Sequence, residues 1–158
     1  MHMLKVLMLK LNYQSHIHLF RQGIRIKYKY KDYELFFINT GVPHAVIFVD
    51  NLENIPVEEL GRYIIYHDKF KPAGTNVNFV KIIDEKEIAI RTYERGAEAE
   101  TLSCGTGSAA SAIISSFVRN MQEPTIVRTR GGDKLKVYLS PLYLEGKVMQ
   151  IFKGEFLI

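Results

Sequence analysis

The chain has 158 residues, 47% apolar and 24% charged, with 21 Lys and Arg against 17 Asp and Glu for a net charge of +4. That length predicts one domain spanning residues 1–158, large enough to bury a core without a disulfide or a metal, and the composition excludes a disordered chain. The basic excess is small and dispersed, so no nucleic-acid partner is expected. A single cysteine excludes an intrachain disulfide scaffold and a multi-cysteine zinc site, and it fits a reducing cytoplasm.

The first ten residues begin like a signal peptide, but Lys10 cuts the apolar run short and no small-residue cleavage site follows, so a strand is expected there. His16 and His18 would share one face of a strand, yet no third ligand is evident and no metal site is expected. Residues 24–30 alternate strictly, Ile and Tyr on one face and Arg and Lys on the other, which predicts a half-buried strand with a solvated basic side. Strands are predicted over 33–38 and 45–50, then a helix over 56–66 with Pro56 in its first turn and Leu60, Ile64 and Ile65 along one side. Two further strands, 77–83 and 87–93, lead to the longest stretch without a charge, 101–118. It is rich in Ser, Thr and Gly, so no membrane span is expected, and its helical part, 106–118, has no charged face at all. Such a helix is expected to be buried all round. Strands at 125–130 and 134–139 flank the turn Arg130-Gly131-Gly132-Asp133, and others are predicted at 147–152 and 155–158. The expected fold is α+β, a curved mixed sheet or open barrel wrapped around the buried helix, with one surface helix.

Candidate chemistry gathers at the start of that buried helix. Cys104 lies in Glu100-Thr101-Leu102-Ser103-Cys104-Gly105-Thr106-Gly107. A thiol at a helix N-terminus is drawn toward the thiolate by the macrodipole, and the glycines leave first-turn N–H groups bare for an anion such as a carboxylate. A buried, inert cysteine is the plainer alternative. A phosphate loop is discounted because the lysine of that motif is missing. Upstream, Glu94 and Arg95 end a predicted strand, either as a surface pair or as a clamp for an amino acid, Arg95 on a carboxylate and Glu94 on an ammonium or a proton. Asn76 and Asn78 share a strand face, and His44 follows a Gly-x-Pro bend, where it is either structural or a proton-handling group.

Taken in order, Gly41-Val42-Pro43-His44, Gly74-Thr75-Asn76-Val77-Asn78-Phe79, Glu94-Arg95-Gly96 and the segment around Cys104 resemble diaminopimelate epimerase. The resemblance covers residues 33–158 and extends only loosely over 1–30. It implies a cofactor-independent enzyme of two similar lobes that interconverts LL- and meso-diaminopimelate, using one cysteine from each lobe on opposite sides of the substrate α-carbon. Cys104 would then be the cysteine of the C-terminal lobe. Gly105 and Thr106 would hold the α-carboxylate, Asn76, Glu94 and Arg95 would bind substrate, and His44 and Glu94 would tune the thiols. Two local departures stand out: Val42 replaces an asparagine found in many members, and the segment 96–100 is one residue longer than in some relatives.

The larger departure is that the N-terminal lobe is not in this chain, so a two-thiol reaction needs a second sulfur from elsewhere. Three arrangements are open: a C-terminal lobe that works with a separate N-terminal lobe, a homodimer placing two copies of Cys104 across one cleft, or a catalytically incomplete amino-acid-binding or assembly module.

Overall fold

The structure is a computed structural model that describes residues 5–10, 20–148 and 153–155. Among the described residues ten strands form one open mixed sheet: β1 (Lys5–Lys10), β2 (Arg21–Tyr28), β3 (Lys31–Asn39), β4 (Pro43–Phe48), β5 (Asn76–Ile82), β6 (Glu87–Glu94), β7 (Ala99–Thr101), β8 (Thr125–Arg128), β9 (Lys134–Leu139) and β10 (Leu142–Val148). Their spatial order is β1-β10-β9-β8-β6-β5-β4-β3-β2. Short β7 lies beside the end of β6 at Thr92 to Glu94, while β8 pairs with its beginning at Glu87 to Ala89. All pairings are antiparallel except β4 with β5 and β6 with β8.

Those two parallel pairs explain the placement of the helices. α1 (Val57–Ile65) connects β4 to β5, and α2 (Gly105–Arg119) connects β6 to β8. Both crossovers step in the same direction along the sheet, but β6 runs opposite to β4. Right-handed crossovers with those directions must put the two helices on opposite faces. The side chains agree. Tyr33, Leu35, Ala45, Ile47, Val77, Phe79 and Tyr93 pack with Leu60 and Ile64 of α1, whereas Phe36, Ile38, Val46, Val80, Ile88 and Ile90 pack with Ala110, Ile113 and Ile114 of α2. β3, β4, β5 and β6 are therefore apolar on both faces over part of their length, as a sheet covered twice requires.

α2 touches β3, β4, β5, β6, β8 and β9. Six neighbouring strands at about 4.8 Å each span more than twice a helix's backbone radius of about 2.3 Å on either side, so the sheet has to curl around α2. Residues from Gly107 to Ser115 are buried, as the charge-free sequence predicts. The C-terminal end differs: Phe117 is exposed and stacks on Phe20, with ring centroids 6.0 Å apart.

Several element boundaries move. β2 begins at Arg21 and stops at Tyr28, because Lys29, at φ 54°, and Tyr30 make the two-residue turn into β3. Alternation runs straight through that turn and hides it. Pro56 caps α1 from outside instead of entering its first turn. β7 is too short and polar for periodicity to reveal. β10 starts at Leu142, where the sequence predicts a strand only from Lys147, and the rest of that prediction, 149–152, lies outside the described residues. Of the strand predicted at 155–158 only Glu155 is described, and it is not in a strand. His16 and His18 also lie outside the described residues. No described helix is long and apolar enough to cross a membrane, and no group of three His, Cys, Asp or Glu among the described residues is placed to hold a metal ion.

Candidate active site

The candidate residues converge at one end of the sheet, where α2 begins. His44 is the second residue of β4, Asn76 opens β5, Glu94 closes β6, and α2 carries Gly105 and Thr106 in its first turn. His44, Asn76, Asn78, Thr92 and Glu94 occupy positions of even alternation with Val46, Val80 and Ile90, so they belong to the α2 face.

Cys104 is the N-cap residue of α2, extended at φ −136° and ψ 110°. The first intrahelical bond runs from Ser108 N–H to the Cys104 carbonyl at 2.8 Å. The N–H groups of Gly105, Thr106 and Gly107 come before it and, among the described residues, close no backbone hydrogen bond. The Gly107 amide faces the Cys104 sulfur, near enough to favour the thiolate without closing a side-chain cap of ordinary geometry. Gly107 cannot be larger: a Cβ there would overlap Asn78 Oδ1 and lie 3.2 Å from the sulfur.

Helix position alone predicts a thiol drawn toward the thiolate. The structure reverses that expectation. Cys104 is 8% exposed, and burial pushes its thiol up from the ordinary value; the Thr106 hydroxyl and the Gly107 amide pull it partway back, and the nearby Glu94 carboxylate adds a smaller push upward. The sulfur is nevertheless surrounded by polar partners. Thr106 Oγ1 stands 3.6 Å away, and the Glu94 carboxylate, oriented by the Thr101 hydroxyl at 2.6 Å, lies near enough for its charge to oppose the thiolate.

His44 is wholly buried, and burial drops it to about 3, so it is neutral at any physiological pH. It contacts Thr106 Oγ1 through Nε2 at 3.0 Å and reaches the sulfur only through that hydroxyl. The Thr106 hydroxyl is thus committed inward, and Thr40 Oγ1 donates to the Thr106 carbonyl at 3.3 Å. What this helix end offers outward is its backbone N–H groups.

Asn76 and Arg95 form a separate rim. Asn76 Oδ1 accepts the Arg95 backbone N–H at 2.9 Å, and the Arg95 guanidinium donates to the Ala73 carbonyl, folding its methylenes over Gly74. Gly74 is at φ +70°, and a Cβ there would lie 2.9 Å from Arg95 Cδ and 3.2 Å from the Ile65 carbonyl. The segment leading into β5 therefore needs a glycine to seat that arginine.

Sequence reasoning gave no role to Asn78, Thr92, Thr40 or Thr101. Alternation does place Asn78 with Asn76, but its partners depend on cross-strand register: Asn78 opposite Thr92, and Val46, two residues past His44, opposite Asn78. A concavity of about 650 Å³ lined by Asp32, Phe48, Asp50 and Arg119 lies at the other end of the sheet and includes none of these residues.

Known proteins match this chain closely in sequence. The family described as diaminopimelate epimerase matches residues 36–141. A diaminopimelate epimerase of Hydrogenobaculum is 46% identical over 148 residues, covering 90% of this chain and 52% of that protein. The Aquifex aeolicus relative of the same name is 47% identical over 75% of this chain and 44% of its own length, and that of Methanocella arvoryzae is 44% identical over 78% and 44%. The chain thus spans about half the length of the curated relatives it matches. Among solved structures, a phenazine biosynthesis protein of the PhzF family from Enterococcus faecalis aligns with a TM-score of 0.46 at 18% identity, over 61% of this chain and 34% of that one. With four ordered motifs, a matching family and relatives above 40% identity, this chain belongs to the diaminopimelate epimerase family.

Proposed function

We propose that this chain is the C-terminal lobe of a diaminopimelate epimerase and supplies one of its two proton-carrying thiols, Cys104. The observation that carries the proposal is the setting of that thiol: a lone cysteine caps a buried helix with bare first-turn N–H groups and has the Glu94 carboxylate in its neighbourhood. Removing an amino-acid α-proton without a cofactor leaves a carbanion with no electron sink, so the site has to stabilise charge on the substrate carboxylate. The amides of Gly105 and Thr106 suit that task.

In one direction Glu94 accepts the Cys104 proton, and the thiolate then takes the α-hydrogen from its face of the substrate. A second thiol, contributed by the other lobe, delivers a proton to the opposite face. In the other direction Cys104 is the thiol acid, and its raised value suits that resting state. Asn76 and Arg95 bind the substrate from the rim, and His44 positions the Cys104 neighbourhood. No cofactor takes part, and the cytoplasm is the matching compartment.

The test is solvent-hydrogen exchange. LL-diaminopimelate is incubated in D₂O with the purified chain, alone and mixed with a separately made N-terminal lobe carrying a Cys-Gly-Asn-Gly-like motif. Deuterium at the α-carbon is expected in the mixture and should vanish with Cys104→Ser. Exchange by the chain alone, rising with the square of its concentration, would replace the two-lobe version by the homodimer. Saturable binding with no exchange in a mixture of two folded lobes would leave only an amino-acid-binding module.

A further inference from the structure

Between the sheet and Cys104 runs a chain of buried polar groups. Thr92 Oγ1 lies 3.0 Å from Asn78 Oδ1, Asn78 Nδ2 is 3.0 Å from His44 Nδ1, His44 Nε2 is 3.0 Å from Thr106 Oγ1, and Thr106 Oγ1 is 3.6 Å from the Cys104 sulfur. Asn78 and His44 are fully buried and Thr92 nearly so. In such surroundings every donor needs an acceptor, and the direction of each hydrogen bond is determined by its neighbours.

The direction is fixed at Asn78. Its Nδ2 is also 3.3 Å from the Ala45 carbonyl, which can only accept, so that atom is the NH₂ group. Both of its hydrogens are then assigned, one to Ala45 and one to His44 Nδ1, while Oδ1 accepts from Thr92. An NH₂ group cannot accept, so His44 Nδ1 carries no proton. The neutral imidazole has its hydrogen on Nε2 and donates to Thr106 Oγ1. The Thr106 hydroxyl, having accepted from His44, turns its own hydrogen to the sulfur. All four bonds point the same way, toward Cys104.

We infer that Asn78 is a positioning residue: it locks the His44 tautomer and so makes the Thr106 hydroxyl a standing hydrogen-bond donor to the Cys104 sulfur. Without the lock, His44 could place its hydrogen on Nδ1 and accept from Thr106 through Nε2, and the hydroxyl hydrogen would leave the sulfur. The thiolate would lose a donor in a site where burial and Glu94 already oppose it. The groups that face the sulfur are Glu94 from β6, Thr106 and the Gly107 amide from α2, and His44 of β4 behind Thr106; of these only Glu94 bears a charge. The same arrangement accounts for Gly107, whose missing side chain leaves room for Asn78 Oδ1. This deepens the reading of Cys104 as a proton carrier and rests on it for its catalytic meaning.

Two substrate-free measurements decide it. In ¹⁵N-labelled protein at neutral pH, His44 should show the neutral Nε2–H tautomer; Nδ1–H or the imidazolium would overturn the assignment. Alkylation of Cys104 by iodoacetamide, followed against pH, is unambiguous because it is the only cysteine. Asn78→Leu and Thr106→Val should each raise the thiol midpoint by about one pH unit, seen as an about tenfold slower reaction at neutral pH. Thr106→Ser should restore the wild-type profile, and the double variant should shift no further than either single one. An unchanged midpoint in Thr106→Val, or additive shifts in the double variant, would overturn the inference. Should Asn78→Leu fail to fold, the wild-type imidazole spectrum and the Thr106 pair still decide. Because no substrate is used, an absence of epimerisation would sink the functional reading alone.

Discussion

α1 and α2 connect parallel strands of one sheet and cover its opposite faces, yet their N-termini are built for different ends. α1 carries Glu58 and Glu59 in its first turn, and Glu58 also accepts the Glu100 backbone N–H at 2.8 Å. The positive end of its macrodipole is thus met by its own carboxylates. α2 has no acidic residue in its first turn and presents Gly105, Thr106 and Gly107 instead. The polar groups behind the two helices follow suit. On the α1 side the Arg91 guanidinium is held in place, bound twice by the Glu100 carboxylate at 2.7 and 2.6 Å and by the Leu52 carbonyl at 2.8 Å. On the α2 side a one-way chain of hydrogen bonds ends on the Cys104 sulfur. A helix terminus that satisfies itself holds a fold together; one left unsatisfied is available to a ligand.

The largest expected effect separates the two sides by pH. The α2 side buries a neutral histidine. Unfolded, His44 takes up a proton near its ordinary value of 6.5; folded, not until about 3. The native state therefore keeps its full advantage above the unfolded value and loses it as pH falls through the window between the two. At 1.36 kcal/mol per unit the whole window amounts to roughly 4 to 5 kcal/mol, of which about 2 to 3 should appear between pH 7 and about pH 4.5. Urea unfolding at the two pH values should show that loss in the wild type and a smaller one in His44→Gln. Equal slopes in the two proteins would mean that His44 is not held neutral by burial.

Next come the two close-approach glycines, one on each helix. A Cβ at Gly61 would run into the Tyr93 ring, and one at Gly107 into Asn78 Oδ1. Overpacking costs about 1–3 kcal/mol, which outweighs the roughly 1 kcal/mol of helix propensity returned by alanine. Thermal or urea unfolding should rank Gly61→Ala and Gly107→Ala together. Thiol alkylation should part them, with a changed pH profile in Gly107→Ala alone. A shift of similar size in Gly61→Ala would erase the distinction between the two helix ends.

A smaller effect concerns Glu94. Its carboxylate raises the Cys104 thiol, so Glu94→Gln should lower the alkylation midpoint and speed the reaction at neutral pH. Exchange activity should fall in the same variant, because the acceptor for the thiol proton is gone. Faster alkylation with undiminished exchange would remove Glu94 from the proton path.

Much of this was legible in the sequence, and the misses have definite causes. The charge-free run of α2 announced a buried helix, and the glycines around Cys104 announced bare amides. The electrostatic outcome at Cys104 was not legible, because dipole and burial act in opposite directions and the depth of burial depends on how six strands curl around one helix. Asn78 and Thr92 were readable as residues of one face but not as partners, since their pairing depends on the antiparallel register of β5 and β6. In the Gly131-Gly132 hairpin only Gly132 takes the positive φ, at 89°. Gly131 is needed for another reason: its N–H donates to the Leu102 carbonyl at 2.8 Å, and a Cβ would lie 3.2 Å from that oxygen. That contact joins segments almost thirty positions apart, beyond the reach of any local pattern.

The finest distinction between the helices lies in their buried faces. α1 buries Val57, Leu60, Ile64 and Ile65, side chains with nothing to satisfy. α2 buries Ser111 and Ser115, whose hydroxyls have no hydrogen-bond partner among the described residues. Small residues there let the sheet close around the helix, but alanine would do so equally well. A buried hydroxyl without a partner is a net loss, and alanine is the better helix former, so Ser111→Ala and Ser115→Ala should each stabilise the fold by about 1 kcal/mol. The gain should appear as a higher urea midpoint with an unchanged slope and an unaltered Cys104 alkylation profile. A loss of stability in either variant would mean that its hydroxyl has a partner after all, in an ordered water or in the helix's own carbonyls, and that α2 is as fully satisfied along its length as α1 is.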